Sequence, residues 1–401
     1  MIEVLLFFLI LLLVALFSRR IDNLPLSPQL IFILAGIITG WLFTGNLDVK
    51  QAPLSTTILL IAEVALVLLL FTEASQVKIG DLKTNHLPRR LLSIGFIYTM
   101  VLGISLAALI FSNLSFWEAA IIGVVLTPTD ASLGEVILKN NKIPDKIREA
   151  LEVESGLKDG FSVPFLLVFI SVGLAEEFFS SATYFVEIAL AQVGLGILVG
   201  ILVGYMVSKL VIKSKSRGWI TPEYQRLAYL ALALLCFLLA HEIGGSGFVA
   251  AFVGGLTTAY VTRDAGKALL DFAEAEGQFL NLTVFYILGI IIAGLIPSIT
   301  WEIILYAFLS LTVIRMLPVI LSLMGSEVNW HSALFIGWFG PRGLASIVLT
   351  LIALETVDVF PGQDTFILAV FITVFFSVVA HGITAVPLSR LYLEKSRENH
   401  E

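Results

Sequence analysis

The chain has 401 residues, of which 58% are hydrophobic and only 14% charged, and its formal net charge is -7. Soluble domains carry about 25% charged residues, so this composition excludes an ordinary soluble enzyme or a nucleic-acid-binding module. One cysteine, Cys236, leaves no intramolecular disulfide and no cysteine-based metal cluster, and its apolar setting reads as a small core residue.

The apolar residues come in runs long enough to cross a bilayer as helix, which takes roughly 20 residues. Thirteen such segments follow in chain order, at about 2–18, 28–44, 55–74, 91–112, 116–138, 149–174, 184–212, 226–241, 245–261, 279–297, 300–324, 331–353 and 363–388. They are too long and too evenly apolar for the alternating strands of a membrane barrel. The first has no basic start and no small-residue cleavage site, so it reads as a retained span rather than a signal peptide.

Lys and Arg sort by side. Those between or after odd-numbered segments number 20 of 24, and only Lys50 falls in a loop of the other set. The positive-inside rule then predicts an outside N-terminus and a cytoplasmic C-terminus. The basic stretch KSKSRGW at 213–219 is ordinary inside-loop charge on this map. No appended soluble domain, nucleotide-binding glycine loop or zinc pattern is present, so no cofactor is expected.

In chain order, the first ionisable residues inside segments are Glu63 and Glu73, both in segment 3. Glu73 lies at the segment's inner end. Segment 5 contains LTPTD at 126–130 and segment 12 contains FGPRG at 339–343. A proline in mid-membrane removes a backbone donor and strains the turn before it. Such breaks survive only where protein or a water-lined cavity satisfies the freed groups. Asp130 and Arg342 follow the two prolines closely. The segments lie seven spans apart, and an odd offset requires an inverted repeat, the arrangement that marks a transporter's binding site.

Segment 6 begins near Asp145 and Glu149, on the favoured negative end of a helix, and carries ESGLKDG at 154–160. Asp159 lies near mid-membrane, where a charge is expensive and functional by default. Ser155 is one turn earlier on the same face, and the two offer oxygens to a hard, small cation. Asp130, Thr129 and freed carbonyls of segment 5 are further candidate ligands. A carboxylate that holds either a cation or a proton, never both, couples their movements in opposite directions. Glu154 and Lys158 have the i, i+4 spacing of a helical ion pair, and Arg342 is a second candidate partner for Glu154. Arg315 in segment 11 sits deep enough to require an internal partner. His241 and Glu242 close segment 8 and read as solvated end residues.

These motifs resemble the cation/proton antiporter type 1 family of bacterial and archaeal sodium/proton antiporters. The resemblance covers essentially the whole chain. It rests on the span count, LAGIITG in segment 2, LLLF in segment 3, TPTD, ESGLKDG, IRMLPV at 314–319 and FGPRG. It implies an all-α polytopic fold of 13 transmembrane helices in inverted repeats, with segments 5 and 12 crossed and unwound. Residues 1–401 then form a single transporter domain. Its core bundle is about 91–174 and 300–388, and its dimerisation scaffold about 1–74 and 184–297. A homodimer in the cell membrane and elevator-like alternating access are implied too. By the same similarity Asp159 is the essential ion- and proton-binding aspartate, Asp130 and Thr129 the Thr-Asp of the crossing, and Ser155 an ion ligand. Glu154 and Arg342 are the pair that holds the core. Glu73 matches an acidic residue of the cytoplasmic ion funnel in some members.

Two departures stand out. The crossing usually reads Thr-Asp-Pro, whereas Asp130 is followed by Ala131 and preceded by Pro128 across Thr129. More consequentially, the family usually has asparagine before the essential aspartate, and here it is Lys158. Three carboxylates (Asp130, Glu154, Asp159) against one arginine become three against two cations. A nearby positive charge favours the ionised form of Asp159 and opposes a bound cation. The expectation is weaker cation binding and activity at lower pH than in asparagine-type relatives. The leading reading is therefore a secondary antiporter, not an enzyme, that exchanges Na+ for H+, with K+ and Li+ as other candidates. A same-fold carrier of an organic anion is the alternative that Lys158 and Arg342 raise. An intramembrane aspartyl protease fits poorly, because GLKD is not the stretch that chemistry needs, and saturable counterflow would distinguish a passive channel.

Overall fold

The computed structural model describes residues 2–21, 26–44, 56–77, 85–138, 140, 142–177, 182–262, 277–356 and 361–398. Lys50, Lys78, Lys83, Lys139, Arg263 and Lys267, which enter the charge sorting, lie outside them. Each of the thirteen apolar segments is built of helix, continuous or interrupted, and no strand occurs among the described residues. Among the described residues eight helices are long and apolar enough to cross a membrane by themselves, Ile2–Ile21, His86–Ile110 and Gln278–Ser298 among them. The chain is an all-helical polytopic membrane protein.

Segments begin where the sequence supplies caps. Ser27 caps Pro28–Thr39, its hydroxyl accepting from Leu30 N at 3.2 Å, with Pro28 in the first turn where its missing N–H costs nothing. Ser115 and Glu118 form a reciprocal capping box at the start of Phe116–Val125. Glu118 also accepts from Gly362 N at 2.6 Å, so one buried carboxylate ties the entry of segment 5 to that of segment 13.

Inside lipid no hydrophobic gain separates helix contact from tail contact, so association rests on close packing of small residues. Segment 7 (Ala182–Ser216) presents Gly196, Gly200 and Gly204 to segment 9 (Gly247–Thr262), where a Cβ would press on Ser246 O, Ala250 O and Gly254 O. Gly36 of segment 2 and Gly289 of segment 10 meet the same way, backbone on backbone. The heaviest pairings are segment 7 with 9, 2 with 10, 3 with 9, 4 with 5 and 11 with 13, and segment 11 also packs on 12. Segment 1 is mostly exposed, with Phe7 buried and Ile10, Leu11 and Val14 packed against the core, while segment 13 is mostly buried. Cys236 is buried in the cluster of segments 3, 7, 8 and 9, as its apolar setting implied.

Two helices are interrupted where the prolines predict. Segment 5 leaves its helix after Val125, runs without helix through 128–130 and rewinds from Ala131. Segment 12 leaves after Trp338 and restarts at Leu344. Segment 11 has a third, smaller break at Thr312, between Trp301–Leu311 and Val313–Leu323.

Candidate functional site

The two large breaks meet and satisfy each other. Asp130 N donates to Pro341 O at 2.8 Å, and Leu344 N donates to Asp130 Oδ2 at 3.0 Å. Asp130 thus caps the second half of segment 12, a negative charge at a helix N-terminus. In return Arg342 Nη1 donates to Thr127 O at 2.8 Å and Pro128 O at 2.9 Å. These are carbonyls that the proline break leaves without helix partners. A Cβ on Gly343 would run into the Asp130 carboxylate, so glycine is what lets the strands of the two breaks lie this close.

Asp159 faces this junction from segment 6 (Asp145–Glu177) and is buried, as are Thr129, Asp130 and Ser155. Ser155 Oγ donates to Thr129 O, and the Thr129 backbone lies beside the Asp159 carboxylate. Glu73 of segment 3 lies close enough to Asp159 for the two carboxyls to share a hydrogen bond. Asp159 Oδ1 and Glu73 Oε2 are both shielded from solvent and have no geometric partner of their own. The glycines of ESGLKDG bring these groups together. A Cβ on Gly156 would sit 3.3 Å from Glu73 O and 3.4 Å from its Cβ, and one on Gly160 would strike the Phe252 ring. Glu73 was expected only at the edge of the site, and Gly156, one turn before Asp159, is the sequence signal that could have placed it there. A cavity of about 20 Å³ adjoins, lined in part by Thr129, Asp130, Glu154 and Ser155, room for about one water-sized guest. Among the described residues no three His, Cys, Asp or Glu side chains group as a metal site. Asp130 in particular turns its carboxylate to Leu344 N, and acts on Asp159 and Glu73 through its charge.

Glu154 does not pair with Arg342, contrary to what the resemblance implies. It takes a two-pronged contact from Arg315, Nη1 to Oε1 at 2.5 Å and Nη2 to Oε2 at 2.9 Å. Its second partner is Lys158, Nζ to Oε1 at 2.6 Å, the i, i+4 pair that the spacing predicts. The reason is geometric. Arg342 sits in the break of segment 12 and is drawn to carbonyl oxygens of segment 5, whereas Arg315 is on the helix that faces Glu154. Gly340 lets Arg315 in, since a Cβ there would overlap its guanidinium. Arg315, placed by sequence only as needing an internal partner, is therefore the missing half of the core ion pair. All three charges are buried, at 1% exposure or less.

The remaining candidates fall outside the site. His241 and Glu242 are exposed at the end of segment 8, and Asp145 pairs with Arg148 at the start of segment 6. Glu63 is half-buried in segment 3.

Residues 6–391 match the profile of the family described as sodium/hydrogen exchanger, transmembrane. A Na(+)/H(+) antiporter of Aphanothece halophytica is 27% identical over 368 residues, 89% of this chain and 68% of that protein. A K(+)/H(+) antiporter of Shewanella oneidensis is 26% identical over 386 residues, 94% of this chain and 64% of that protein. The chain thus spans about two thirds of the length of these relatives. The solved structure of the sodium proton antiporter of Methanocaldococcus jannaschii superposes with a TM-score of 0.76 over 98% of this chain and 99% of that one, at 20% identity. That likeness is one of fold.

Proposed function

We propose that this chain, which belongs to the sodium/hydrogen exchanger family, is a secondary antiporter that exchanges a monovalent cation for H+ at Asp159. As a member of a transporter family it is not an enzyme. The observation that carries the proposal is the pairing of buried Asp159 with half-buried Glu73, each with a solvent-shielded oxygen that lacks a partner, set beside Ser155 and the carbonyl of Thr129. Two carboxyls this close repel when both are charged. Either a proton shared between them or a cation set among their oxygens removes the repulsion, and the two remedies exclude each other. That exclusion is the coupling an antiporter needs. A pair of free carboxylates does not suit an organic anion, and Lys158, held by Glu154, is not presented to one.

Na+ is the favoured cargo, with K+ the alternative, as the names of the two relatives divide. Asp159, Glu73 and Ser155 bind the ion or the proton. Asp130 and Thr129 shape the site from the segment-5 break, and Glu154 with Arg315 braces it. All thirteen segments span the membrane, with 1–6 and 8–13 as two inverted halves joined by segment 7. The pairings support this: exchanging each segment for the one seven places away turns 3 with 9 into 10 with 2, and 4 with 5 into 11 with 12. Segments 4–6 and 11–13 move as a core against segments 1–3 and 7–10, which form the scaffold of a homodimer, and access alternates between the two faces of the membrane. Purified protein in liposomes, challenged with Na+, K+ and Li+ at several pH values, should show cation-dependent proton movement, and Asp159→Asn should abolish it. Coupled exchange retained in that variant would refute the assignment of the site.

A further inference from the structure

Segment 13 (Gln363–Glu398) runs behind the break of segment 12, and it carries a buried imidazole that the proposed ion site does not use: His381, 1% exposed. His381 Nε2 lies 2.8 Å from Trp338 O. A carbonyl only accepts, so Nε2 carries the hydrogen and donates. Nδ1 lies 2.8 Å from Ser377 O and 3.3 Å from Ser377 Oγ. The ring's charge decides which of these it uses, and the Nε2 bond is the same in both cases.

The two residues that this strap joins are the two ends of one missing helix bond. In an unbroken helix Arg342 N would donate to Trp338 O, four residues earlier. Here the helix stops at Trp338, and Arg342 N donates instead to Ser377 Oγ at 2.6 Å. Trp338 O is left to Gly340 N, at 2.9 Å, and to His381. Ser377 and His381 stand one turn apart on segment 13, so they replace the lost donor–acceptor pair with a matched acceptor and donor. Trp338 Nε1 adds a third tie, to Thr384 Oγ1 at 3.0 Å. The break held this way is what carries the Arg342 guanidinium to Thr127 O and Pro128 O, next to Thr129.

We propose that His381 is a positioning residue of the exchange reaction: with Ser377 it takes over the hydrogen bond lost between Trp338 and Arg342, and so fixes the segment-12 break against segment 5 beside the ion site. This rests on the exchange reading above. The test compares His381→Leu, His381→Gln and Ser377→Ala with wild type in liposomes, reading the Na+ concentration for half-maximal exchange and the maximal rate. Hydrogen–deuterium exchange of the 339–343 amides is measured on the same proteins. Leucine cannot donate, so the half-maximal Na+ concentration should rise about fivefold, the size of one lost buried hydrogen bond, and the 339–343 amides should exchange faster. Glutamine, whose amide nitrogen can reach where Nε2 stood, should restore both. Ser377→Ala should act like leucine, and it carries the test where the leucine variant does not fold. Wild-type Na+ dependence in both His381→Leu and Ser377→Ala overturns the proposal. So does faster amide exchange with unchanged transport, which would make the strap structural only. A wild-type protein that moves no protons in response to any cation defeats the exchange reading instead, and the amide data then still report on the strap.

Discussion

Glu154 sits between two cations, Arg315 and Lys158, with all three side chains out of solvent. A buried pair adds little net stability, but removing one partner strands a charge and costs about 3–5 kcal/mol. Glu154→Gln strands two cations against each other, so thermal unfolding in detergent should fall by at least that amount. The double variant Glu154→Gln with Lys158→Met should recover part of the loss. A single variant as stable as wild type would show that Glu154 braces nothing. Lys158 itself answers to Glu154, yet its charge remains beside Asp159, where it opposes both cargoes, H+ and the metal cation. Lys158→Asn leaves the two-pronged contact of Arg315 in place, so it tests that charge alone. Its half-maximal Na+ concentration should drop several-fold and its activity window should move to higher pH, because the proton is also held more tightly. An unchanged pH profile and cation affinity would leave Lys158 as scaffold. A lysine that stays charged travels with the core in both directions, so it leaves the charge moved per cycle unaltered; a change in stoichiometry in Lys158→Asn would mean that it releases its proton during transport.

At the scale of elements, the two breaks form a single device, and each is shaped by the other. Pro128 and Pro341 made both breaks legible in sequence, because a mid-membrane proline has few other uses. Their spacing implied an inverted repeat, and the family resemblance implied that they cross. What the spacing could not supply was the exchange of partners across the junction: Arg342 to segment 5, and Asp130 to segment 12. An arginine's length lets it reach several acceptors, and proximity in three dimensions chose carbonyls over Glu154. Glu73 stayed half-legible for a similar reason. Its place at the end of an apolar run looks like a solvated residue, and only the small Gly156 opposite reveals the close approach. Gly343→Ala tests the device. Its Cβ overlaps the Asp130 carboxylate and should displace it from Leu344 N. Misplacement of a site by about 1 Å can cost ~100-fold in rate, so exchange should fall by that order while the protein still folds and inserts. Near-normal exchange in Gly343→Ala would show that the contact between the breaks is incidental.

For the whole molecule, the sorting of 20 of 24 basic residues to one set of loops predicts an orientation on which the helices alone are silent. Reversing the chain in the membrane would carry that charge to the outer face, so the expected arrangement has the N-terminus outside and residue 216, after segment 7, inside. Segment 4 then ends outside, and with it residue 112. The lone thiol makes this simple to check. Cys236 is fully buried, so native protein should stay silent toward a membrane-impermeant maleimide. Ser112→Cys and Ser216→Cys each add one exposed thiol with little other change. In intact cells Ser112→Cys should label and Ser216→Cys should not, and inside-out vesicles should give the reverse. Both thiols labelling from one face would break the alternation between segments 4 and 7. The count of thirteen spans would then fail, and with it the inverted relation that sets the breaks of segments 5 and 12 against each other from opposite sides of the membrane.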